Sequence, residues 1–391
     1  MTTGAVIVVG AGPTGLLLAG DLAAQGIPTT LVERHARGSA LSRAFAVHAR
    51  TLEQLEMRGL AADVVARGQP VRQAQVLGAV RVDLSTMPSR FPFVLIVPQY
   101  ETEAVLEERA RQVGVRIVRA AELTELSQDG AGVTARLSTD ETLEASFLVG
   151  ADGHASTVRR LVGQRFPGRT VIKSVLLADV RLTDPPDGAA VRAVGGRFTF
   201  IAPFGDGYHR VIAWDTDQQW QDEFAPVDLG EVRVIMRAVF GTDFGMRDPR
   251  WSSRFHSDER QVPQYRVGRV FLAGDAAHEH SPAGGQGMNL GMQDSANLSW
   301  KLAQQLVGGR DLLDTYHTER RPVGSAVIRG TGRLLRLAQL TGPARLARDA
   351  TAFAALRIPA LAHAGQRALA GLWVRYPAPP GEHHLVGTRA P

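Results

Sequence analysis

The order of apolar and polar positions at the start of the chain predicts a strand, a tight turn, a helix and a second strand. Residues 5–9 form a short β-branched run, AVIVV, and the glycine-rich sequence GAGPTG follows it. Apolar residues recur at helical spacing in LLLAGDLAAQ, and the run PTTLVER has the composition of another strand. This order is typical of the first βαβ unit of an α/β domain.

Between about residue 171 and residue 268 the period of the apolar positions changes to two. The runs VLLADVRL, RFTFIAPF and YHRVIAWD alternate as half-buried strands do, and GDG joins the last two as a hairpin. We therefore expect an antiparallel sheet in a separate domain. At Arg269 the chain returns to a buried strand, VFLAGD, and a long helix follows from about Met288 to Leu306.

The tail from Arg333 to Tyr376 has Ala, Leu and Arg at helical spacing, which favours packing helices over a helix that binds a membrane surface or a partner. The predicted division is 1–170 and 269–332 for the two parts of the first domain, 171–268 for the inserted sheet, and 333–391 for a C-terminal helical segment and tail.

The composition refines this prediction mainly by exclusion. The chain has 391 residues and no cysteine, which removes disulfides, thiolate metal sites and the redox dithiol of flavin disulfide reductases. No apolar run reaches the roughly 18 residues of a membrane-spanning helix, and the chain starts with a strand rather than a charged leader. We therefore expect a soluble, cytoplasmic protein with no membrane partner.

The net charge of +5 alone would suggest a nucleic-acid partner. However, only Lys173 and Lys301 are lysines, and the arginines lie singly or in pairs among acids, without a block of like charge. A bias toward arginine explains the balance, and we expect no nucleic-acid binding.

Gly10, Gly12 and Gly15 form the pattern Gly-x-Gly-x-x-Gly between the first strand and the first helix. Glycines at this spacing let the backbone turn tightly and approach a pyrophosphate at the helix N-terminus. Pro13 suits the helix start, and Glu33 ends the second strand, where a carboxylate accepts ribose hydroxyls. The pattern predicts dinucleotide binding but does not choose between NAD and FAD.

Two more predicted strands end in a glycine and an acid. Gly150 precedes Asp152, for which a nucleotide contact and an ordinary turn before a helix capped by Ser156 both stay open. Gly274 precedes Asp275, whose carboxylate suits a ribose or ribitol hydroxyl. Three such strand ends are more than NAD alone needs.

His278 and His280 stand two residues apart in the loop AGDAAHEHSPAGGQGMNLGMQD. A zinc site needs a third ligand, and the sequence offers none at useful spacing. We therefore expect no metal.

Several sequences along the chain together resemble one family: GAGPTG with Glu33 and Arg34, SRAFAVHARTLE from Ser42 to Glu53, PQYETE, GADG, and GDAAHEHSPAGGQGMNLGMQD. The chain is similar to the FAD-dependent aromatic hydroxylases of the para-hydroxybenzoate hydroxylase fold, the class A flavoprotein monooxygenases. It is most similar to the branch that oxygenates aromatic polyketides and rifampicin. The resemblance implies an α/β fold, in which a Rossmann-like FAD-binding domain of the glutathione reductase type carries an inserted antiparallel β-sheet substrate domain and a helical C-terminal segment.

The resemblance also implies roles for single residues. The AMP and pyrophosphate end of FAD would lie against Gly10, Gly12, Pro13, Thr14, Gly15, Glu33, Arg34 and Asp152, with the backbone of Leu123 near the adenine. Further along the cofactor would lie Arg43, Gln99, Gly274 and Asp275, the last on the ribitol. Against the isoalloxazine would lie Pro282, Gly284, Gly285, Gln286, Gly287, Met288 and Asn289. Arg43 and Pro282 are the residues implied in catalysis.

In the enzymes that this chain resembles, NADPH or NADH reduces the flavin, dioxygen adds to give the flavin C4a-hydroperoxide, and one oxygen atom passes to a phenolic ring. The nicotinamide cofactor visits transiently, which fits a sequence without a second Gly-x-Gly-x-x-Gly pattern. Arg43 would gate the flavin movement, with an ordinary ion-pairing arginine as the alternative. Baeyer-Villiger-type oxygenation of a polycyclic ketone stays open, and so does a protein that sequesters flavin or drug without turnover.

The candidate substrate residues lie on the predicted hairpin. Arg197 and Arg210 would contact phenolate or carbonyl oxygens, and Phe200 and Tyr208 would line the site, although strand arginines are usually exposed and some aromatic residues are plain core. Glu279 stands where related enzymes often have an apolar residue, so it faces solvent or substrate. The sequence names no general base and leaves the oligomeric state open. Residues 383–391 resemble the junction after which many polyketide hydroxylases continue into a thioredoxin-like domain.

Overall fold

The structure is a computed structural model, and it describes residues 4–38, 43–76, 80–218, 225–378, 381 and 383–389. Ser42, which begins the sequence SRAFAVHARTLE, lies outside the described residues.

The helices and strands follow one another in three groups. The first group contains β1 (Val6–Val9), α1 (Pro13–Ala24), β2 (Thr29–Glu33), β3 (Ala46–Val47), α2 (Ala49–Glu56), α3 (Ala61–Val65), β4 (Gln69–Val71), β5 (Gln73–Val76), β6 (Val80–Asp83), β7 (Val94–Ile96), α4 (Gln99–Gln112), β8 (Arg116–Arg119), β9 (Leu123–Gln128), β10 (Val133–Leu137), β11 (Thr142–Ala145), β12 (Phe147–Gly150) and α5 (Thr157–Leu161). The second contains β13 (Gly168–Arg181), β14 (Ala190–Val194), β15 (Arg197–Pro203), β16 (His209–Asp215), α6 (Leu229–Phe240) and β17 (Arg247–Gln261). The third contains β18 (Arg266–Val267), β19 (Val270–Leu272), a 3-10 turn (Gly274–Ala276), β20 (His278–Glu279), α7 (Gly287–Leu306), α8 (Leu313–Ala338), α9 (Gly342–Leu356) and α10 (Pro359–Leu369).

A six-stranded sheet in the order β18-β19-β12-β1-β2-β8 organises the first and third groups. β1 is parallel to β12 and β2, while β19 and β8 extend the parallel sheet on its two sides. The strands β1 and β12 are fully buried, as expected for a parallel sheet with helices on its faces. Because β19 lies beyond the inserted segment in sequence, the predicted return of the chain to the first sheet is confirmed.

An antiparallel sheet in the order β14-β15-β16-β13-β17-β20 forms the second layer. The predicted hairpin is confirmed, since β15 and β16 pair from Arg197 with Asp215 to Pro203 with His209. The last strand, β20, comes from the loop after β19 and pairs with the end of β17. The two sheets are therefore joined through the segment that precedes the predicted isoalloxazine loop.

The helix α6 covers one face of the antiparallel sheet, in a region predicted to contain only strands. Its buried residues Val232, Ile235, Met236 and Val239 have helical spacing. A capping box at Asp228 begins the helix, and Gly241, with φ of 83°, ends it. The opposite face of the sheet packs toward the first domain.

The long helix predicted from about Met288 to Leu306 is α7, and the predicted C-terminal helices are α8 to α10. α8 runs without interruption through the proposed boundary between residues 332 and 333, and the division into domains stays a prediction. Within the described ranges, no helix combines the length and apolar character needed to span a bilayer.

Candidate active site

Four of the predicted nucleotide contacts lie at one edge of the central sheet. β1, β2, β12 and β19 are parallel, so their carboxyl ends share that edge. Glu33 ends β2, and Gly10, Asp152 and Asp275 follow the ends of the other three strands. The sheet topology thus brings together residues that are far apart in sequence.

The glycine loop after β1 has no room for side chains at two positions and open space at a third. Gly10 has φ of 105°, and a Cβ atom on it would lie 2.3 Å from the carbonyl oxygen of Ala151. A Cβ on Gly15 would lie 1.9 Å from the carbonyl oxygen of Gly10. Beside Gly12, by contrast, no heavy atom of the described residues lies within 4 Å of the Cβ position. Pro13 opens α1 at this point, so a ligand next to Gly12 meets the helix N-terminus.

Glu33 holds the shape of the glycine loop through its carboxylate. Its Oε2 accepts the backbone N–H of Ala11 at 2.8 Å, and its Oε1 accepts that of His35 at 2.8 Å. Arg34 is exposed, and its Nε donates to a ring nitrogen of His35 at 3.2 Å. The strand β2 thus places the carboxylate of Glu33 and the guanidinium of Arg34 next to this loop.

A cleft with charged side chains in its wall leads from the glycine loop along α4, and its empty space including the open mouth is about 910 Å³. Gln99 at the start of α4 donates to Glu103 Oε1 at 2.7 Å and accepts the N–H of Ala44 at 3.1 Å, which ties the segment of Arg43 to the helix. Burial raises the pKa of Glu103, one of the cleft residues, to about 7. Leu123 is a buried core residue at the start of β9.

Asp152 binds the first turn of the short helix α5. Its Oδ1 accepts the hydroxyl of Ser156 at 2.5 Å, and its Oδ2 accepts the N–H groups of Thr157 and Val158 at 2.7 and 3.0 Å. Burial raises its pKa. Ser156 is the N-cap of α5, as the sequence predicted, and Asp152 also lies against the glycine loop, since a Cβ on Gly10 would be 2.8 Å from the Cα of Asp152.

The turn after β19 depends on a buried charge network that the sequence did not reveal. Asp294 in α7 accepts the N–H of Gly274 at 3.1 Å, a ring nitrogen of His278 at 2.6 Å and the Nε of Arg320 at 2.7 Å. Although burial raises the pKa of Asp294, Arg320 and His278 hold it below the usual value. Asp275 itself is exposed at this turn.

Thr14 packs against the turn after β19. Thr14 fills the space that the side-chain-free Gly274 and Gly291 leave, because a Cβ on either would lie within 2.8 Å of its Oγ1. Within the described ranges, no group of three or more acidic or histidine side chains is arranged to hold a metal ion.

The loop from Pro282 to Gly287 is held by Asn289. The amide nitrogen of Asn289 donates to the carbonyls of Ala46 at 2.9 Å and Gly285 at 2.8 Å, and its oxygen accepts the N–H of His48 at 2.8 Å. Gly284 and Gly285 have φ of 85° and 61°, values that favour glycine. Gln286 stands at the N-cap of α7 without a side-chain cap, Gly287 opens the helix, and Met288 is buried in its first turn. The first amides of a 20-residue helix are thus free of a capping side chain at this loop.

An apolar cavity lies between this loop and the antiparallel sheet, and its empty space including the mouth is about 1100 Å³. Its lining residues are Phe45, Ala46, His48, Val71, Ala74, Val94, Ile96, Ala189, Val191, Phe198, Phe200, Ile212, Trp214, Pro282, Ala283, Gly284, Gly285, Leu334, Leu335, Ala338 and Leu369. Three of the predicted isoalloxazine-loop residues, Pro282, Gly284 and Gly285, and four aromatic side chains therefore face one space. Such a lining suits a flat hydrophobic molecule.

Comparison with known proteins decides the family. The family described as FAD binding domain matches residues 3–331 of this chain. The 12-dehydrotetracycline 5-monooxygenase/anhydrotetracycline 6-monooxygenase of Streptomyces rimosus is 38% identical, over 99% of this chain and 80% of the relative. The chain belongs to the FAD-dependent aromatic hydroxylases. It is a flavoprotein monooxygenase.

Two further relatives agree with this family. A rifampicin monooxygenase of Streptomyces venezuelae is 42% identical, over 85% of this chain and 71% of the relative. The solved structure of an anhydrotetracycline hydroxylase from Streptomyces rimosus is 38% identical and superposes with a TM-score of 0.87, covering 99% of this chain and 79% of that one. The predicted family and fold class are confirmed.

The residues of this hydroxylase fit the cofactor of the family. The open space at Gly12 and the uncapped start of α1 suit a pyrophosphate. The exposed carboxylate of Asp275 suits a polyol hydroxyl, and the uncapped start of α7 suits the electron-rich end of a flavin ring.

Three of the four candidate substrate residues do not line the apolar cavity; only Phe200 does. Arg210 is fully buried, and its Nε and Nη2 bind the carboxylate of Asp179 at 2.5 and 3.0 Å. Its Nη1 donates to the carbonyl of Arg43 at 3.3 Å. This arrangement does not support a direct substrate contact by Arg210, because its guanidinium nitrogens already donate to Asp179 and to the carbonyl of Arg43.

The other two candidate substrate residues, Arg197 and Tyr208, lie elsewhere on the hairpin of β15 and β16. Arg197 binds Asp215 at 2.7 Å across the strands, and the Tyr208 ring lies 4.2 Å from the guanidinium carbon of Arg250. Arg43 is exposed, with its guanidinium carbon 5.7 Å from the centroid of Phe255.

Two titratable residues near the loop were given no role or only an uncertain one by the sequence. His48 is buried in the cavity wall, and burial lowers its pKa to about 4. Glu279 pairs with Arg260 in the antiparallel sheet, and burial, followed by the neighbouring Asp275 and Asp258, raises its pKa to about 8. His48 belongs to the sequence AVHARTLE, which points to the site, but the groups around its side chain come from the distant segment of Gly284 to Gln286.

Proposed function

We propose that this chain uses NADPH or NADH and dioxygen to hydroxylate a phenolic ring of a polycyclic, polyketide-like or antibiotic-like substrate. The observation that carries the proposal is that the predicted isoalloxazine loop and an aromatic sheet face line one apolar cavity. The relatives are named for 12-dehydrotetracycline, anhydrotetracycline and rifampicin, and these names support the substrate class.

FAD, when bound, supplies the redox and oxygen-activating chemistry. The protein positions the reacting groups, stabilises negative charge and excludes water. Asn289 and Asp294 hold the two loops in place, and the first amides of α7 stabilise negative charge at the loop. The apolar lining, with Phe200 and Trp214 in its wall, keeps water from the reacting atoms and orients a flat ring.

The residue roles that the resemblance implies are part of this proposal. The nucleotide end of FAD lies against the glycine loop, Glu33, Arg34, Leu123 and Asp152, and the segment with Arg43 and Gln99 follows. Asp275 takes the ribitol, and Pro282 to Asn289 take the isoalloxazine. Arg210 holds the carbonyl of Arg43 while the Arg43 side chain is exposed, so the guanidinium of Arg43 acts as a gate on an anchored backbone.

The test is to load the purified protein with FAD and offer it hydroxylated polycyclic polyketides and ansamycins with NADPH or NADH under ¹⁸O₂. We expect substrate-stimulated oxidation of the nicotinamide cofactor and a product with one labelled oxygen as a ring hydroxyl. A label inside an enlarged ring favours the Baeyer-Villiger alternative. Tight binding of substrates without label in any product favours sequestration and rejects the proposal.

A further inference from the structure

A second pocket, termed the outer pocket, adjoins the apolar cavity. It lies between the turn that joins β14 to β15 and the junction of α8 with α9, and its empty space including the mouth is about 670 Å³. Phe198, Trp214 and Ala338 line both spaces. A molecule that lies across this common edge can therefore place a flat ring system in the apolar cavity and a substituent in the outer pocket.

Arg345 brings an unpaired positive charge to the outer pocket. Its side chain is half-buried in the wall, and within the described ranges its guanidinium has no carboxylate within ion-pair distance and donates to no acceptor. The other guanidinium of the wall, that of Arg197, is bound to Asp215 at 2.7 Å. Among the described residues that line the pocket, none is acidic. The charge of Arg345 is therefore available to an anionic ligand.

The indole of Trp214 supplies a second donor. Trp214 is only 3% exposed, and its buried Nε1 meets no hydrogen-bond partner in the part of the chain that the structure describes. Phe198 stacks on the indole with ring centroids 3.8 Å apart, which fixes its plane. An indole N–H only donates, and a buried donor is normally paired, so this one points to an acceptor oxygen on a ligand.

The helix α9 begins at the same pocket. Its N-cap, Thr341, forms no side-chain cap, and no acid stands in its first turn. The first N–H groups of this 15-residue helix thus carry an uncompensated partial positive charge. Guanidinium, indole and helix start all donate, and all of them favour an electron-rich oxygen group.

Resting on the function proposed above, we propose that the outer pocket binds a carboxylate substituent of the polycyclic substrate and that Arg345 recognises its charge. The planar guanidinium fits the two oxygens of a carboxylate, and the start of α9 faces the same charge. Trp214 Nε1 donates to a carbonyl oxygen at the edge of the ring system. The ring that is hydroxylated stays in the apolar cavity, so the preferred substrate is an acidic polycycle rather than a neutral one.

The phosphate groups of a nicotinamide cofactor offer a similar anion. The position of the outer pocket favours the substrate, because three residues of its wall also belong to the apolar cavity. Both sources of negative charge are nevertheless compared in the test.

The first test measures binding without turnover, on the FAD-loaded oxidised protein. The probes are anthraquinone-2-carboxylate and its neutral isostere anthraquinone-2-carboxamide, and the readout is the change in the visible absorption of the flavin. We expect the wild type to bind the carboxylate at least about tenfold more tightly than the carboxamide, because a hydrogen bond to a charged group is stronger than a neutral one. Added salt should weaken only the binding of the carboxylate.

Substitutions separate charge recognition from shape. Arg345→Gln should bring the ratio of the two affinities close to one, and Arg345→Lys should restore part of it. Trp214→Phe keeps a ring for the stack but removes the N–H, so it should weaken both probes a few-fold and leave the ratio unchanged.

The matched control is Arg336→Gln. Arg336 is exposed on the neighbouring helix α8 and lines neither space, so this variant should keep the wild-type ratio. On an acidic polycycle that the wild type hydroxylates, Arg345→Gln should raise KM about tenfold with kcat changed only a few-fold.

The outcomes separate the two proposals. Equal binding of both probes to the wild type, no binding of either, or an unchanged ratio in Arg345→Gln overturns the role of Arg345. An unchanged ratio together with a raised KM for NADPH assigns the pocket to the nicotinamide cofactor instead. A ratio that depends on Arg345, with no labelled oxygen in any product, rejects the hydroxylase proposal and leaves the pocket in place. Should Arg345→Gln fail to bind FAD, the comparison of Arg345→Lys with the wild type decides.

Discussion

Asn289 accepts the backbone N–H of His48 at 2.8 Å, and this bond links the first turn of α7 to the segment after β3. The same amide holds the carbonyls of Ala46 and Gly285. One buried side chain thus sets the distance between the loop from Pro282 to Gly287 and the segment at β3.

Replacing Asn289 with alanine should therefore weaken FAD binding. The change leaves three backbone groups unpaired, at about 1 kcal/mol or more each, and lets the loop move away from β3. We expect FAD affinity to fall about tenfold or more, measured by quenching of flavin fluorescence. Asn297→Ala, in the same helix but bound to Glu319, is the control and should lower the melting temperature without weakening FAD binding. Equal loss of FAD in both variants would contradict the role of Asn289.

Gly12→Ala should separate cofactor binding from folding. No heavy atom of the described residues lies within 4 Å of the added Cβ, so the protein without FAD should keep its melting temperature. The Cβ enters the space that we assign to the pyrophosphate, and FAD affinity should fall at least about tenfold. Gly130→Ala, which also meets open space, should change neither property. An unaltered FAD affinity in Gly12→Ala would place the cofactor elsewhere.

Arg210→Ala should destabilise the fold rather than change substrate recognition alone. It leaves the buried carboxylate of Asp179 unpaired, which costs about 3–5 kcal/mol. The exposed pair of Arg111 with Glu107 is the reference, and Arg111→Ala should cost no more than about 1 kcal/mol. Thermal unfolding measures both. A fully stable Arg210→Ala protein with a raised KM would restore the substrate contact that the sequence suggested.

Glu279 predicts a pH dependence of stability. Burial raises its pKa from 4.5 to about 8, so between these values the folded protein keeps a proton that the unfolded chain has released. Folding then takes up a proton, and stability falls as the pH rises through that window.

Glu279→Gln removes this penalty. The variant should match the wild type near pH 5 and exceed it by on the order of 2 kcal/mol near pH 9, seen as a higher melting temperature. Glu125→Gln, at a residue whose side chain is 70% exposed, should give the same difference at both pH values. A Glu279→Gln variant whose advantage is greatest at low pH would reverse the sign and refute the assignment.

The parts of the site that the sequence predicted are local ones. The glycine loop with Pro13 and Glu33 lies within one βαβ unit, and strand, turn and helix spacing are sufficient to identify it. The apolar spacing of α6, at Val232, Ile235 and Val239, is also present in the sequence, but the period-two runs on either side of it favour strands.

The parts that it missed depend on pairing between distant segments. Asp294 meets Arg320 26 residues later, across two helices whose packing no local pattern specifies. Arg210 faces Asp179 because β13 and β16 pair in one register, and another register would have left the arginine free. His48 gained its surroundings from the loop at Gly284 in the same way.

The pairing of β20 with β17 has a mechanical consequence. Glu279 lies in the edge strand of the sheet whose strands β14 to β16 line the cavity, and the backbone reaches Pro282 in the cavity wall after His280 and Ser281 alone. Because two residues leave little slack in the backbone, the position of the loop at Pro282 is tied to the position of this sheet. The antiparallel sheet and the loop that opens α7 are thus coupled through the main chain itself.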